Sequence, residues 1–250
     1  MCAAFSPEED TLFEKTGAAV LKRLRKTRNP ADLLTAVAST YKEFDRAFAA
    51  APAEAKAAVA CRAGCGACCH VPVGVQAHEV LIAARHVQTH FSPTQLDELI
   101  ARAAVHRAAF AGRSIGERMA LKTPCVLLAE GSCSIYEARP EACRSHHSHN
   151  AEACQTNLER GREEIDVYIP GVRGRMFAVM LATDQAVVEA GYDGRAYDFG
   201  SALHEALTSS LCAVRWVQRQ EAFPESCREA GEPDDDADSG VMHAEGYFQD

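Results

Sequence analysis

The chain has no apolar stretch long enough to span a bilayer. Its first residues, Met1-Cys2-Ala3-Ala4-Phe5-Ser6-Pro7-Glu8-Glu9-Asp10, have neither the basic start nor the apolar run of a secretory signal, so a reducing, cytosolic location is expected. Neither a G-x-G-x-x-G turn nor a phosphate loop occurs, which leaves a nucleotide-binding sheet without support. Positive charge is in deficit: 26 Lys and Arg against 35 Asp and Glu give a net charge of −9, which argues against a nucleic-acid partner. Part of that negative charge lies in the run Glu232-Pro-Asp-Asp-Asp-Ala-Asp238, which reads as a solvated, disordered tail. No internal repeat is visible.

What is present in quantity is sulfur. There are eleven cysteines in 250 residues, and 47% of the chain is apolar, enough to bury the core of one domain. In a compartment that keeps thiols reduced, so many cysteines suggest metal ligation more than a disulfide framework. Four of them fall in Cys61-Arg-Ala-Gly-Cys65-Gly-Ala-Cys68-Cys69-His70, spaced C-x3-C-x2-C-C. Further along come Cys125, Cys133, Cys143 and Cys154, with His146, His147 and His149 close behind Cys143. The two stretches read as halves of one metal centre.

Thiolate is a soft ligand that suits zinc and iron–sulfur clusters. Cys65 and Cys68 form a chelating C-x2-C pair, and Gly64 and Gly66 supply the backbone freedom of a metal knuckle. Adjacent Cys68 and Cys69 point apart in most backbones. Either they serve two ions, or one binds while the other bridges, packs or does redox work. Eight thiols would fill two four-sulfur zinc sites, or one four-cysteine iron–sulfur cluster with four thiols spare. Neither spacing is that of a zinc finger or a ferredoxin. The isolated Cys2, Cys212 and Cys227 read as plain core or surface thiols, and the loop histidines either complete a site or are solvated.

The rest of the chain reads as helices. Ser6-Pro7-Glu8-Glu9 is a capping-box start, and the helix it opens runs to the basic cluster Lys22–Arg28 before Asn29-Pro30 breaks it. From Asp32 a single helix is expected on the stripe Leu33, Leu34, Val37, Tyr41, Phe44, Phe48, with a break or kink at Pro52. A helix over Glu79–His90 and another opening at Ser92-Pro93-Thr94-Gln95 should form an antiparallel pair that folds the two cysteine groups together. Pro124–Leu128 and Cys133–Tyr136 flank a turn at Ala129-Glu-Gly-Ser132 and read as a β-hairpin. An irregular His-rich loop is expected from Glu141, and a turn at Pro170-Gly171. Two helices follow, one through Met176 and Val187, the other from Leu203 to Trp216.

Two patterns mimic catalytic motifs. Gly112-Arg-Ser114-Ile-Gly116 matches G-x-S-x-G but follows a helical stripe rather than a strand, and reads as a loop. His86-Val-Gln-Thr-His90 has zincin spacing without the glutamate base, and reads as surface histidines.

With these residues assembled, Cys61-Arg-x-Gly-Cys65-Gly-x-Cys68-Cys69-His70 resembles the signature of the YkgJ-type cysteine-cluster proteins, the CxxCxxCC zinc- or iron-chelating family. Pro124-Cys125-x-Leu-Leu and Gly131-x-Cys133-Ser-Ile-Tyr136-Glu-x-Arg139-Pro140-x-x-Cys143-Arg144 resemble its second block. The resemblance implies that Cys61, Cys65, Cys68, Cys69, Cys125, Cys133, Cys143 and Cys154 form the cluster, with His70 and Arg144 beside it. One departure is the C-x3-C at Cys61, where the family pattern has C-x2-C. A related cluster in flagellin lysine N-methylases makes an S-adenosylmethionine-linked activity conceivable.

The expected fold is mainly α: one helical domain over residues 1–224 with a small β-hairpin and irregular Cys-rich metal-binding loops, then an acidic tail over 225–250. The expected function is metal binding, with an iron–sulfur cluster or zinc in a structural or redox role. A protein methyltransferase using the same cluster, or a metal chaperone, is the alternative. No membrane partner is expected.

Overall fold

Ser6 starts the first helix as the sequence requires. Its hydroxyl accepts the Glu9 N–H, and the Glu9 carboxylate accepts the Ser6 N–H, a reciprocal cap with Pro7 at the first helical position. In the computed structural model, which describes residues 5–62, 64–160 and 165–229, α1 spans Pro7–Lys26. The stripe expected to form one helix from Asp32 is divided into α2 (Pro30–Ala38) and α3 (Tyr41–Ala49). The apolar spacing runs through the break, but the Ser39 hydroxyl donates to the Ala36 carbonyl and the Thr40 hydroxyl to that of Val37. Such local bonds give the backbone an alternative to the helical ladder. Past Pro52 comes the short α4 (Ala53–Ala57), and then a 3-10 turn, Ala67–His70, that carries Cys68 and Cys69.

The chain continues as β1 (Gly74–Gln76), α5 (Ala77–His90) and α6 (Pro93–Phe110), the last with the expected Ser92/Gln95 capping box. Residues 112–114 are non-helical as expected, and α7 (Ile115–Leu121) begins inside the stretch expected to be a loop. Ser114 caps it, accepting the Glu117 N–H while donating to the Glu117 carboxylate, so the serine of the G-x-S-x-G pattern is a helix cap. The hairpin is present as β2 (Leu128–Ala129) and β3 (Ser132–Cys133), with Leu128 opposite Cys133. A 3-10 turn, Tyr136–Ala138, leads into α8 (Glu141–Ser145), a helical turn where an irregular loop was expected. α9 (Ala151–Arg160) follows and carries Cys154.

Tyr168 makes an isolated antiparallel bridge with Ser148 and Ile169 is extended, but Pro170-Gly171 opens α10 (Pro170–Glu189) instead of making a turn. Proline's fixed φ and missing N–H suit the first helical position as well as they suit a turn. β4 (Ala196–Asp198) pairs antiparallel with β1, Gly74 opposite Asp198, a two-stranded sheet that periodicity had not suggested. The expected last helix is two, α11 (Phe199–Thr208) and α12 (Leu211–Val217), separated at Ser209-Ser210. The fold continues through a 3-10 turn, Glu225–Cys227, to Glu229; the acidic run expected to be a tail lies outside the described residues, as does Cys2.

The molecule is mainly α. α1 lies along α10, which also packs against α3 and α8, while α11 packs against both α5 and α6. α5 and α6 themselves hardly touch, so the expected antiparallel pair is replaced by two helices joined through α11. Val37, Val80, Leu99, Val179, Leu203 and Trp216 are completely buried in one continuous core. No helix among the described residues is long and apolar enough to cross a membrane.

Candidate metal centre

The front thiols sit on a backbone that only glycine makes easily. Gly64 has φ +81°, and the Cys65 N–H turns back to the Arg62 carbonyl at 3.0 Å. The Cys69 N–H donates to the Gly66 carbonyl at 3.0 Å, closing the 3-10 turn, and a His70 Nδ1 hydrogen bond to the same carbonyl braces it at 2.9 Å. Two rear elements reach this knuckle, the hairpin and α9. The Cys125 N–H donates to the Cys69 carbonyl at 2.6 Å, which places the hairpin arm directly on the knuckle. The hairpin turn passes close to it as well: a Cβ on Gly66 would lie 3.6 Å from the Gly131 carbonyl oxygen. α9 packs against the 3-10 turn. Its Cys154 thiol donates to the Ser148 hydroxyl at 3.1 Å, while the Ser148 N–H donates to the Cys61 sulfur at 3.3 Å.

The thiols thus divide into two groups. Burial is the largest influence raising the pKa of Cys61 and of Cys154; Cys65 and Cys68 add to both, and Cys61 to Cys154. Burial also leads for Cys125, raised to about 11, and for Cys133 and Cys143; Cys68 adds to all three, Cys133 to Cys125, and Cys125 and Cys133 to Cys143. Cys68 acts on both groups, and its own pKa is pushed up first by a hydrogen bond with Cys69 and then by burial. Cys61 and Cys68 as whole residues keep exposed surface while their thiols are partly enclosed, and the other six are part-buried. The sulfurs gather without closing: among the described residues, the set of three ligand-type groups within 4.8 Å of one another is His78, Glu79 and Asp184, and no three thiols are that close.

Two arginines border the second group. Arg139 lowers the pKa of Cys61, Cys68 and Cys133 by its charge, and its guanidinium lies 3.7 Å from the Tyr136 ring centroid. Arg144 is buried; its Nε donates to the Arg139 carbonyl at 3.1 Å, its Nη2 to that of Glu137, and it stacks 4.1 Å over Tyr41.

Of the three histidines behind Cys143, two pack on aromatic rings and His149 is exposed. His147 stacks on Phe48 at 4.9 Å, and His146 meets Tyr168 edge-on at 5.6 Å. His86 and His90 stack on each other at 4.2 Å. Cys212 and Cys227 are buried away from the centre, their thiols donating to the carbonyls of Glu205 and Ser201.

Sequence reasoning missed two features. Ser148 links Cys61 to Cys154, and nothing in its neighbourhood marks it. Behind Cys143 lies a buried polar group: His78, Glu79 and Glu141 are almost completely inaccessible, and Asp184 joins them from α10. Burial, then mutual repulsion, holds the carboxyls of Glu79 and Asp184 above their usual range; burial does the same for Glu141 against the opposing pull of Arg144. The signal available was a His-Glu pair on the apolar side of α5.

The donor set of the thiol centre fits a soft metal. Crowded thiols whose ionisation is opposed by burial and by one another ionise readily around a cation, whose charge inverts the balance. Residues 60–161, which contain both cysteine groups, match the family model described as "CxxCxxCC: Putative zinc- or iron-chelating domain". No curated protein and no solved structure matches the chain.

Proposed function

We propose that this chain is a metal-binding protein in which Cys61, Cys65, Cys68, Cys69, Cys125, Cys133, Cys143 and Cys154 hold zinc or iron in a centre of two lobes. One lobe takes Cys61, Cys65 and Cys154, the other Cys125, Cys133 and Cys143. Cys68 and Cys69, adjacent on one 3-10 turn, each complete one lobe. The observation that carries this reading is geometric: the Ser148 bonds join Cys61 to Cys154 on one side of the 3-10 turn that carries Cys68 and Cys69, and the Cys125 N–H meets the Cys69 carbonyl on the other. Four thiolates make a closed site, the kind used structurally for zinc and for iron–sulfur clusters. The centre's work is then structural: it ties together the knuckle, the hairpin, α8 and α9, segments too short to hold one another by packing alone. A reducing compartment such as the cytosol suits the ten thiols that are free among the described residues.

The test is metal and acid-labile sulfide analysis, with a visible spectrum, on untagged protein purified without oxygen. The two-lobe reading expects two metal ions or centres per chain, with Cys154→Ser emptying one lobe and Cys133→Ser the other. Brown protein with labile sulfide identifies clusters, and colourless protein with zinc identifies zinc sites. A single centre lost equally in both variants would overturn the two-lobe arrangement, and protein carrying neither metal would overturn the function.

A further inference from the structure

The buried group behind Cys143 contains no thiol, and its residues come from separate helices. His78 and Glu79 lie in the first turn of α5, Glu141 opens α8, and Asp184 is in the middle of α10. One ligand-type atom from each of His78, Glu79 and Asp184 lies within 4.8 Å of the others. His78 Nε2 is 3.5 Å from Glu141 Oε1, and the Glu141 N–H donates to Glu79 Oε1 at 2.7 Å, so the fourth side chain belongs to the same assembly. His78 and Glu141 have no exposed surface.

Hydrogen bonding does not account for these atoms. His78 Nδ1, Glu141 Oε2 and Asp184 Oδ1 are buried without a partner at hydrogen-bonding geometry among the described residues, the Thr40 hydroxyl near Glu141 being committed to the Val37 carbonyl at 2.8 Å, and the Tyr41 hydroxyl beside them is likewise unpaired. Buried polar atoms in native proteins are almost always paired, and three orphans in one assembly indicate a missing ligand. The neighbouring cation, Arg144, is committed to the Arg139 and Glu137 carbonyls. Three carboxyl groups packed together in a buried space repel one another, and a divalent cation removes that repulsion.

We propose that His78, Glu79, Asp184 and Glu141 form a second metal site, for a divalent first-row cation of the manganese(II) or iron(II) type, separate from the thiol centre. One imidazole with two or three carboxylates is a hard-to-borderline donor set, which suits these ions where the thiols suit softer ones. Glu79 can ligate while keeping its bonds to the Gln76 and Glu141 N–H groups, because a carboxylate has lone pairs to spare. The site does not depend on what the thiols hold. Cys143 is two residues from Glu141 and feels the charge of Glu79, which puts the two sites side by side.

The test is a manganese(II) titration of the full chain followed by electron paramagnetic resonance, with the thiol centre already metallated. Wild type should bind one manganese ion, and its pulsed spectrum should show nitrogen coupling from one imidazole. Asp184→Asn, which keeps size and shape, should weaken binding by about tenfold or more, as should His78→Gln. Cys154→Ser should lose metal from the thiol centre and keep the manganese, which separates failure of this site from failure of the thiol reading. Wild type that leaves manganese free at millimolar concentration, or binds it without nitrogen coupling, would overturn the proposal. Unchanged affinity in a folded Asp184→Asn protein would do the same.

Discussion

Asp198 does three things at once. It ends β4, caps α11 by accepting the Ser201 N–H at 2.8 Å, and is bound by His106 Nε2 at 3.0 Å. Burial pushes its carboxyl up, but the bonds and charge of His106 and the Ser201 groups outweigh it, so its pKa lies below the usual value. A lowered carboxyl pKa adds stability above the unfolded value of about 3.9, and that stability is lost as pH falls through the lower folded value. Asp198→Asn should therefore cost about 1–3 kcal/mol in urea unfolding at pH 7. The gap to wild type should shrink on going to pH 3; a constant gap would refute the electrostatic part. Arg144 has a different task, holding the carbonyls of Arg139 and Glu137 with two arms of one plane. Arg144→Ala should lower metal retention and cost about 2–3 kcal/mol. Arg144→Lys should not rescue it, because a point charge cannot span both carbonyls; a lysine variant with wild-type metal content would mean that charge alone matters there.

The hairpin is the element that brings Cys133 to the knuckle. Its turn is two residues long, and both have positive φ: Glu130 at +50° and Gly131 at +75°. Asn-Gly suits such a turn better than Glu-Gly. Glu130→Asn should raise the midpoint of thermal unfolding, whereas Gly131→Val should cost about 1–2 kcal/mol and lower metal retention. Equal metal content in the two variants would show that the hairpin does not position Cys133. The helix caps were legible at this scale because the side-chain bonds between Ser6 and Glu9 and between Ser92 and Gln95 reach only three residues along the chain. The division at Ser39-Thr40 was not, because the apolar stripe continues across it while two hydroxyls redirect the backbone. Pro170-Gly171 was ambiguous for a related reason, since proline before glycine fits both a turn and a helix start.

Across the whole molecule, the packing of α1 with α10 and of α11 with α5 and α6 owes little to the thiols. The knuckle, hairpin and α8–α9 region is built of short segments, which in the proposed function are tied together by their sulfurs. Metal removal by a strong chelator should therefore leave most of the helical circular-dichroism signal. It should also open residues 58–76 and 122–150 to limited proteolysis. Complete loss of helicity would show that the core needs the metal; unchanged proteolysis would show that the centre ties nothing down.

The sequence by itself determined the helical class, the principal caps, the hairpin and the identity of the thiols, since each depends on spacing along a short stretch of chain. Only the tertiary structure decided which thiols face one another. Ser148 joins Cys61 to Cys154, and Cys125 meets Cys69, through contacts between residues far apart in the chain. It also decided the pairing of β1 with β4 and the burial of His78, Glu79, Glu141 and Asp184 in one space. Apart from the His-Glu pair on the apolar side of α5, none of these has a local signature. A buried carboxylate is written with the same letter as a solvated one, and it is the packing of α3, α5, α8 and α10 around it that takes the water away.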